Sequence, residues 1–243
     1  MSMSPIDREA HLNRWRSKPL AEKALLALGM LVIALALKPA VAVLVASAMT
    51  AVTLVGARVS PRLWLGCMTA PLGFLAVGVV TLALRIDAQG IGLAPGGFVE
   101  AGALVARSIA GLTCMLFLAL TTPASDLVGG LGRLGLPSEI VDLALLMYRF
   151  LFILGDSAAA MNAAQAARLG HATARQRVTS AGLIAANLLP RAIDRARRME
   201  IALASRGWRG EMRVLADRSA ATASGLAVIS AAIASIALTG FFV

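Results

Sequence analysis

The chain is written in long apolar runs separated by short polar breaks, and it changes character about halfway along. The runs are Ala24–Leu37, Ala40–Ala57, Leu63–Leu84, Ala101–Leu120 and Ala220–Val243. Residues 1–23 ahead of them are polar, with Asp7, Arg8, Glu9, Arg14, Arg16 and Lys18. Read as one helix, residues 24–57 would rise about 50 Å, well beyond a hydrocarbon core of about 30 Å. Pro39 lacks a backbone donor and restricts Lys38 before it, which divides the stretch into two spans. The first span extends back to Leu20 if Glu22 and Lys23 reach the interface. Leu63–Leu84 contains Pro71, Gly66, Gly73 and Gly78, the composition of a kinked helix packed inside a bundle. Arg85–Phe98 reads as a glycine-rich loop. Ala101–Leu120 ends at Thr121-Thr122-Pro123, and Arg107 within it is placed to snorkel outward toward Glu100, two turns away.

Between the fourth and fifth runs the pattern is periodic, so the region is helical rather than a linker. Gly135-Leu136-Pro137-Ser138-Glu139 is a helix start, with proline near the first turn and an acid where the dipole favours it. The apolar stretch Ile140–Leu154 is short for a span and reads as interfacial or packed beneath the bundle. Arg149 stands seven residues from both Asp142 and Asp156, on one helical face, an arrangement that orients the helix. This helix ends in Ala166-Ala167-Arg168-Leu169-Gly170. A second, from Thr173 to Arg206 and kinked at Pro190, ends in Ala204-Ser205-Arg206-Gly207-Trp208. The pattern predicts an all-α integral membrane protein of about five transmembrane helices, with a helical cytoplasmic region between the fourth and fifth. Its parts are a leader (1–23), a four-span bundle (24–120), cytoplasmic or interfacial helices (121–218) and a final span (219–243).

Composition supports a bilayer setting: 58% of 243 residues are hydrophobic and 15% charged. A signal peptide with Ala40-Val41-Ala42 as its cleavage site fits less well, given the acidic leader and the second apolar run directly behind. The net charge of +10 changes the picture in one respect. With the N-terminus in the cytoplasm and the C-terminus outside, only Lys38, Arg85 and Arg107 of the basic residues fall on the outer side. The basic excess is therefore topological and does not point to nucleic acid. Cys67 and Cys114 lie inside apolar runs and read as packing residues. His11 and His171 read as solvent-facing rather than metal-ligating. No lysine follows a glycine, so there is no phosphate-binding loop. An intramembrane enzyme would need clustered acids or a metal motif, and the spans contain no close pair of acids, no HExxH and no CxxC.

Arginine in a last helical turn followed by glycine is ordinary capping. Two such endings, both alanine-rich and in one cytoplasmic region, point further. An arginine at a helix tip presents a rigid, always-charged fork suited to an acidic groove.

The chain resembles the transmembrane T component of energy-coupling factor (ECF) transporters, most closely the cobalt-type CbiQ family. The resemblance lies in Ile6-Asp7-Arg8 followed by Pro19-Leu20-Ala21-Glu22-Lys23, in Thr121-Thr122-Pro123 with Leu134-Gly135-Leu136-Pro137, and in Tyr148-Arg149-Phe150. The two Ala-Arg-Gly-like endings are its most specific part. The resemblance implies a non-catalytic coupling subunit in a bacterial inner membrane. Two ABC ATPase subunits (CbiO-like) would bind ATP and Mg, and this chain would bind no cofactor. A substrate-binding membrane subunit (CbiM-like), with or without a small auxiliary one (CbiN-like), would carry the substrate. It implies that Arg168 and Arg206 dock into the ATPases, flanked by Ala167, Leu169, Ser205 and Gly207, with Tyr148, Arg149, Asp156 and Pro190 as orienting residues. Leu169 stands where the family commonly has glycine, and Ser205 where it has alanine. Cobalt, nickel or a vitamin are all substrates of such systems. A membrane anchor without a transport role would not need the arginine tips.

Overall fold

A computed structural model describes residues 5–87, 90–93, 96–208 and 222–242. The chain divides into two compact units, one of Ser4–Asp126 with Asp217–Val243 and one of Leu127–Ala216 with Met1–Met3.

In the first unit the prolines set the helix boundaries. Pro39 is the first residue of α3 (Pro39–Ala51), and Lys38 before it is extended, so α2 (Leu20–Ala36) stops where the sequence predicts. The apolar run continues past α3 in a π-helical turn, Val52–Gly56. Pro61 opens α4 (Pro61–Ala83) in the same way. Gly97–Thr121 forms α5, and Ala223–Phe242 forms α9. The core lies where α2, α3 and α5 meet. Leu26, Met30 and Ala34 face Val41, Val45 and Met49 and also Ala110, Cys114 and Phe117, each set at three- or four-residue spacing.

Four expectations need correction, and the leader contains a helix that no pattern predicted. The polar leader is structured: α1 (Pro5–Leu12) packs on α5. Trp15 beyond it meets Phe117 edge-on at 5.5 Å. Glu22 and Lys23 do not extend outward into solvent but are buried in the protein, at 5% and 1% exposure. The ends of neighbouring helices claim them, as described below. Arg107 does not turn to Glu100; its Nη2 donates to Leu37 O (3.2 Å), satisfying a carbonyl that the Pro39 break leaves free. Helix α4 is not interior: only Met68 and Ala83 are buried, and Gly66 and Gly73 face open space. Part of the glycine-rich loop 85–98 is an antiparallel hairpin, β1 (Leu84–Asp87) with β2 (Gly90–Leu93), pairing Leu84 with Leu93 and Asp87 with Gly90. Residues 88–89 and 94–95 of that stretch lie outside the described residues.

Contacts along the helices fix their relative directions. Lys23, Leu31 and Leu37 of the α2 segment meet Thr121, Gly111 and Arg107 of α5 in reverse order, so these helices are antiparallel. Glu22, Gly29 and Leu37 meet Gly225, Ile233 and Gly240 in the same order, so α2 and α9 are parallel. The start of α2, the end of α5 and the start of α9 therefore share one face. Any chain joining α5 to α9 crosses the bilayer an even number of times or not at all.

Five helices among the described residues are long and apolar enough to span by length and composition, and these include α7 (Ser138–Ala167) but not the 17-residue α2. Four of the five, α3 with its π-helical turn, α4, α5 and α9, lie in the first unit, and α2 beside them rises about 26 Å, at the lower limit for a span. This unit is a multi-pass membrane fold. Helices α7 and α8 (Ala174–Ser205) belong to the second unit.

Candidate functional site

The second unit contains the two arginine-tipped helices, together with most of the short α6 (Ala124–Gly132), which straddles the boundary. Helix α7 is one continuous 30-residue element. The first half carries Tyr148, whose ring meets Phe152 edge-on at 5.0 Å one turn further on. Arg149 beside it is exposed, and Asp156 is half-buried. Helix α8 has 32 residues and runs unbroken across Pro190, where the missing N–H leaves the Ala186 carbonyl without its helical partner.

The ends of α7 and α8 have the same architecture. Arg168 is the C-cap of α7: Leu169 N–H donates to Ala166 O (3.0 Å), and Gly170 N–H donates to Gln165 O (2.8 Å). Arg206 is the C-cap of α8, with Gly207 N–H donating to Ala204 O (3.0 Å) and Trp208 N–H to Leu203 O (3.1 Å). Each is a Schellman ending, in which the residue after the cap takes left-handed backbone. Gly207 does so at φ 68°, and Leu169 at φ 60°. Both arginines are exposed, as are Ala167, Leu169, Ser205 and Gly207.

The departure at Leu169 thus has a physical meaning. A leucine holds the conformation that glycine adopts freely, at a cost of about 1–2 kcal/mol. Glycine there also has more freedom to lose, about 0.5–1 kcal/mol. Leu169→Gly is expected to gain roughly 1 kcal/mol at this helix end, read as slower amide exchange at Gly170. Faster exchange would contradict this account.

The turn after Arg168 is tied into α8 at several points. Ser180, the buried residue of α8, donates from Oγ to Gly170 O (3.0 Å). Arg177 Nε donates to His171 O (3.1 Å). Thr173 and Gln176 form a reciprocal capping box at the start of α8. Of these, the capping box is legible as Thr-x-x-Gln. Ser180, Arg177 and Gln165 are not, because their partners are backbone groups that only the fold brings near.

The two tips are not one site. Arg168 precedes the first turn of α8 and Arg206 follows its last, so about 48 Å of helix rise separates them. Tyr148 and Arg149 lie a further twenty residues back along α7 and join neither tip. An open apolar cleft of about 620 Å³ lies between the helices, lined by Ala158, Asn162, His171, Arg177, Ile184 and Leu188 among others. Among the described residues no group of His, Cys, Asp or Glu side chains is placed to hold a metal ion.

Fold and helix ends together define a multi-pass membrane protein carrying a separate unit with two exposed, arginine-capped helix ends. The chain belongs to the CbiQ family: residues 12–215 match the family model described as cobalt transport protein. It is 52% identical over 241 residues to the cobalt transport protein CbiQ of Rhodobacter capsulatus, covering 99% of both chains. To the CbiQ of Salmonella typhimurium it is 30% identical over 228 residues, covering 87% of this chain and all of that one. A fused cobalt transport protein CbiMQ of Methanocorpusculum labreanum is 29% identical over 186 residues, 72% of this chain and 31% of that protein.

Proposed function

We propose that this chain is the transmembrane coupling subunit of an ECF-type ABC transporter that imports cobalt. It passes ATP-driven motion from two ATPase subunits, which hold ATP and Mg, to a substrate-binding membrane subunit, and itself catalyses nothing. The observation that carries this reading is the pair of matching helix ends. Arg168 and Arg206 cap α7 and α8 in the same geometry, both exposed and about 48 Å apart along α8. Two rigid, separated cationic forks suit two acidic grooves on two partner subunits.

Orientation follows from charge. Arg8, Arg14, Arg16, Lys18, Lys23, Arg58 and Arg62 gather at the face where α2 begins, whereas Lys38 and Arg85 stand at the other. The first face is then cytoplasmic, with the N-terminus inside and the C-terminus outside. The fused relative whose name joins CbiM to CbiQ supports a CbiM-like partner. A small auxiliary membrane subunit fits the same assembly.

The test is to purify a tagged chain from its native membrane and to measure labelled cobalt uptake with and without it. An ABC ATPase and a CbiM-like subunit are expected to co-purify, and uptake to disappear without the chain. Recovery of the chain with no ATPase, from cells whose cobalt uptake is independent of it, would overturn the reading.

A further inference from the structure

The membrane unit runs to Asp126 and is next described at Thr222, and one short segment of polar residues holds the structure on both sides of that gap in the unit. On the departing side, Lys23 Nζ donates to Thr121 O (2.9 Å) and Asn13 Nδ2 to Leu120 O (3.1 Å), both at the last turn of α5. Arg16 pairs with Asp126 itself. On the returning side, Thr222 N–H donates to Glu22 Oε1 (3.1 Å) immediately before α9. Gly225 makes room for that carboxylate: a Cβ there would stand 2.5 Å from Oε1 and 2.8 Å from Cδ.

The signs of the charges match the helix ends they meet. The end of α5 presents free carbonyls and partial negative charge, and receives an ammonium. The start of α9 presents free N–H groups and partial positive charge, and receives a carboxylate. Consecutive residues on a helix point about 100° apart, so the adjacent pair Glu22-Lys23 can serve two different neighbours. Buried charges are a poor means of packing two helices when apolar residues would do it without desolvation. Here they stand at the level of the bundle where the second unit is covalently attached.

We propose that Glu22 and Lys23 are positioning residues of the coupling step. They fix the end of α5 and the start of α9, so that displacement of residues 127–216 is delivered to the membrane helices instead of being absorbed by fraying of those helix ends. This rests on the coupling reading above.

The experiment uses the whole transporter reconstituted in lipid vesicles, with cobalt ion as the probe, and compares Lys23→Met, Glu22→Leu, Glu22→Gln and Arg168→Glu. Cobalt accumulated per ATP hydrolysed is expected to fall about tenfold or more in Lys23→Met and Glu22→Leu, the factor carried by one charge-assisted hydrogen bond. ATPase content should be unchanged. Glu22→Gln, which keeps the acceptor oxygen, should retain most of the ratio. Amide exchange at Thr222 should speed up in Glu22→Leu and not in Glu22→Gln. An unchanged ratio in Lys23→Met and Glu22→Leu, or a loss of uptake that merely tracks the amount of complex recovered, overturns the proposal. Arg168→Glu separates the two ideas. Its loss of uptake beside unaffected Lys23 and Glu22 variants removes the positioning role alone, while its normal uptake removes the coupling reading. Should the buried variants fail to assemble, Arg16→Glu and the swap Arg16→Glu with Asp126→Arg decide the matter, since both side chains are more than a third exposed. Uncoupling by the single change and recovery in the swap support the proposal; normal coupling in the single change overturns it.

Discussion

Replacing Arg168 and Arg206 together with glutamate is expected to abolish cobalt uptake while leaving the chain in the membrane at its normal level. The bonds that close α7 and α8 are made by backbone groups, and both arginines are exposed. Losing the cation at a helix C-terminus costs about 0.3–1 kcal/mol per site through the dipole, and putting an anion there costs about as much again. Removing one partner of a desolvated, hydrogen-bonded charge pair at an interface costs about 2–5 kcal/mol, before the repulsion of a reversed charge is added. The docking term exceeds the folding term at each tip, so partner binding fails before the fold does. Lysine at both positions retains the charge and loses the planar fork, and should leave intermediate uptake. Uptake with membrane abundance measured in parallel checks this. Normal uptake in the double glutamate variant would contradict it.

Gly170→Ala is expected to disable the same region from within. A Cβ at this position would stand 2.6 Å from Ser180 Oγ and 2.8 Å from Gln165 O. The serine hydroxyl can rotate away, but the carbonyl is backbone and also accepts the Gly170 N–H at 2.8 Å. Overpacking of this kind costs about 1–3 kcal/mol. The strain falls on the bonds that close α7 and tie it to α8. The melting temperature of the purified protein should drop, and protease cutting in the 168–173 turn should rise. Adding Ser180→Ala should recover only the part due to the hydroxyl. Full recovery would mean that the Gln165 carbonyl is not the obstacle.

The parts of the fold that depend on one-dimensional pattern are legible in the sequence. Apolar runs give the long apolar helices, Pro39 gives the start of α3, and Gly207 gives the left-handed cap of α8; α4 begins two residues ahead of its apolar run, at Pro61. What fails to show is whatever needs a neighbour distant in the chain. Glu22 and Lys23 at the head of a span look like interfacial residues, because nothing local reveals that the ends of α5 and α9 lie beside them. Arg107 is misplaced for the same reason, its partner being a carbonyl seventy residues away. Glycine and proline in α4 suggested burial, yet that helix lies at the edge of the unit. The hairpin at 84–93 has strands of four residues, too short for alternation to stand out among glycines. Within the second unit, the cap arginines are visible from their own helices. The left-handed Leu169 is not, since its conformation is imposed by the Gly170–Gln165 bond and by Ser180.

The central claim, that the two helix tips meet ATPase subunits, is tested most directly by photo-crosslinking from the residues beside the arginines. Leu169 and Trp208 are exposed and each follows its arginine closely, so a benzophenone amino acid at either position leaves the arginine fork in place. Irradiation of the assembled transporter is expected to join each position to an ATPase subunit, while the same group at Leu151, on an exposed face in the middle of α7, is not joined to one. Adducts from Leu169 and Trp208 that contain no ATPase, in a complex that still imports cobalt, would contradict the account.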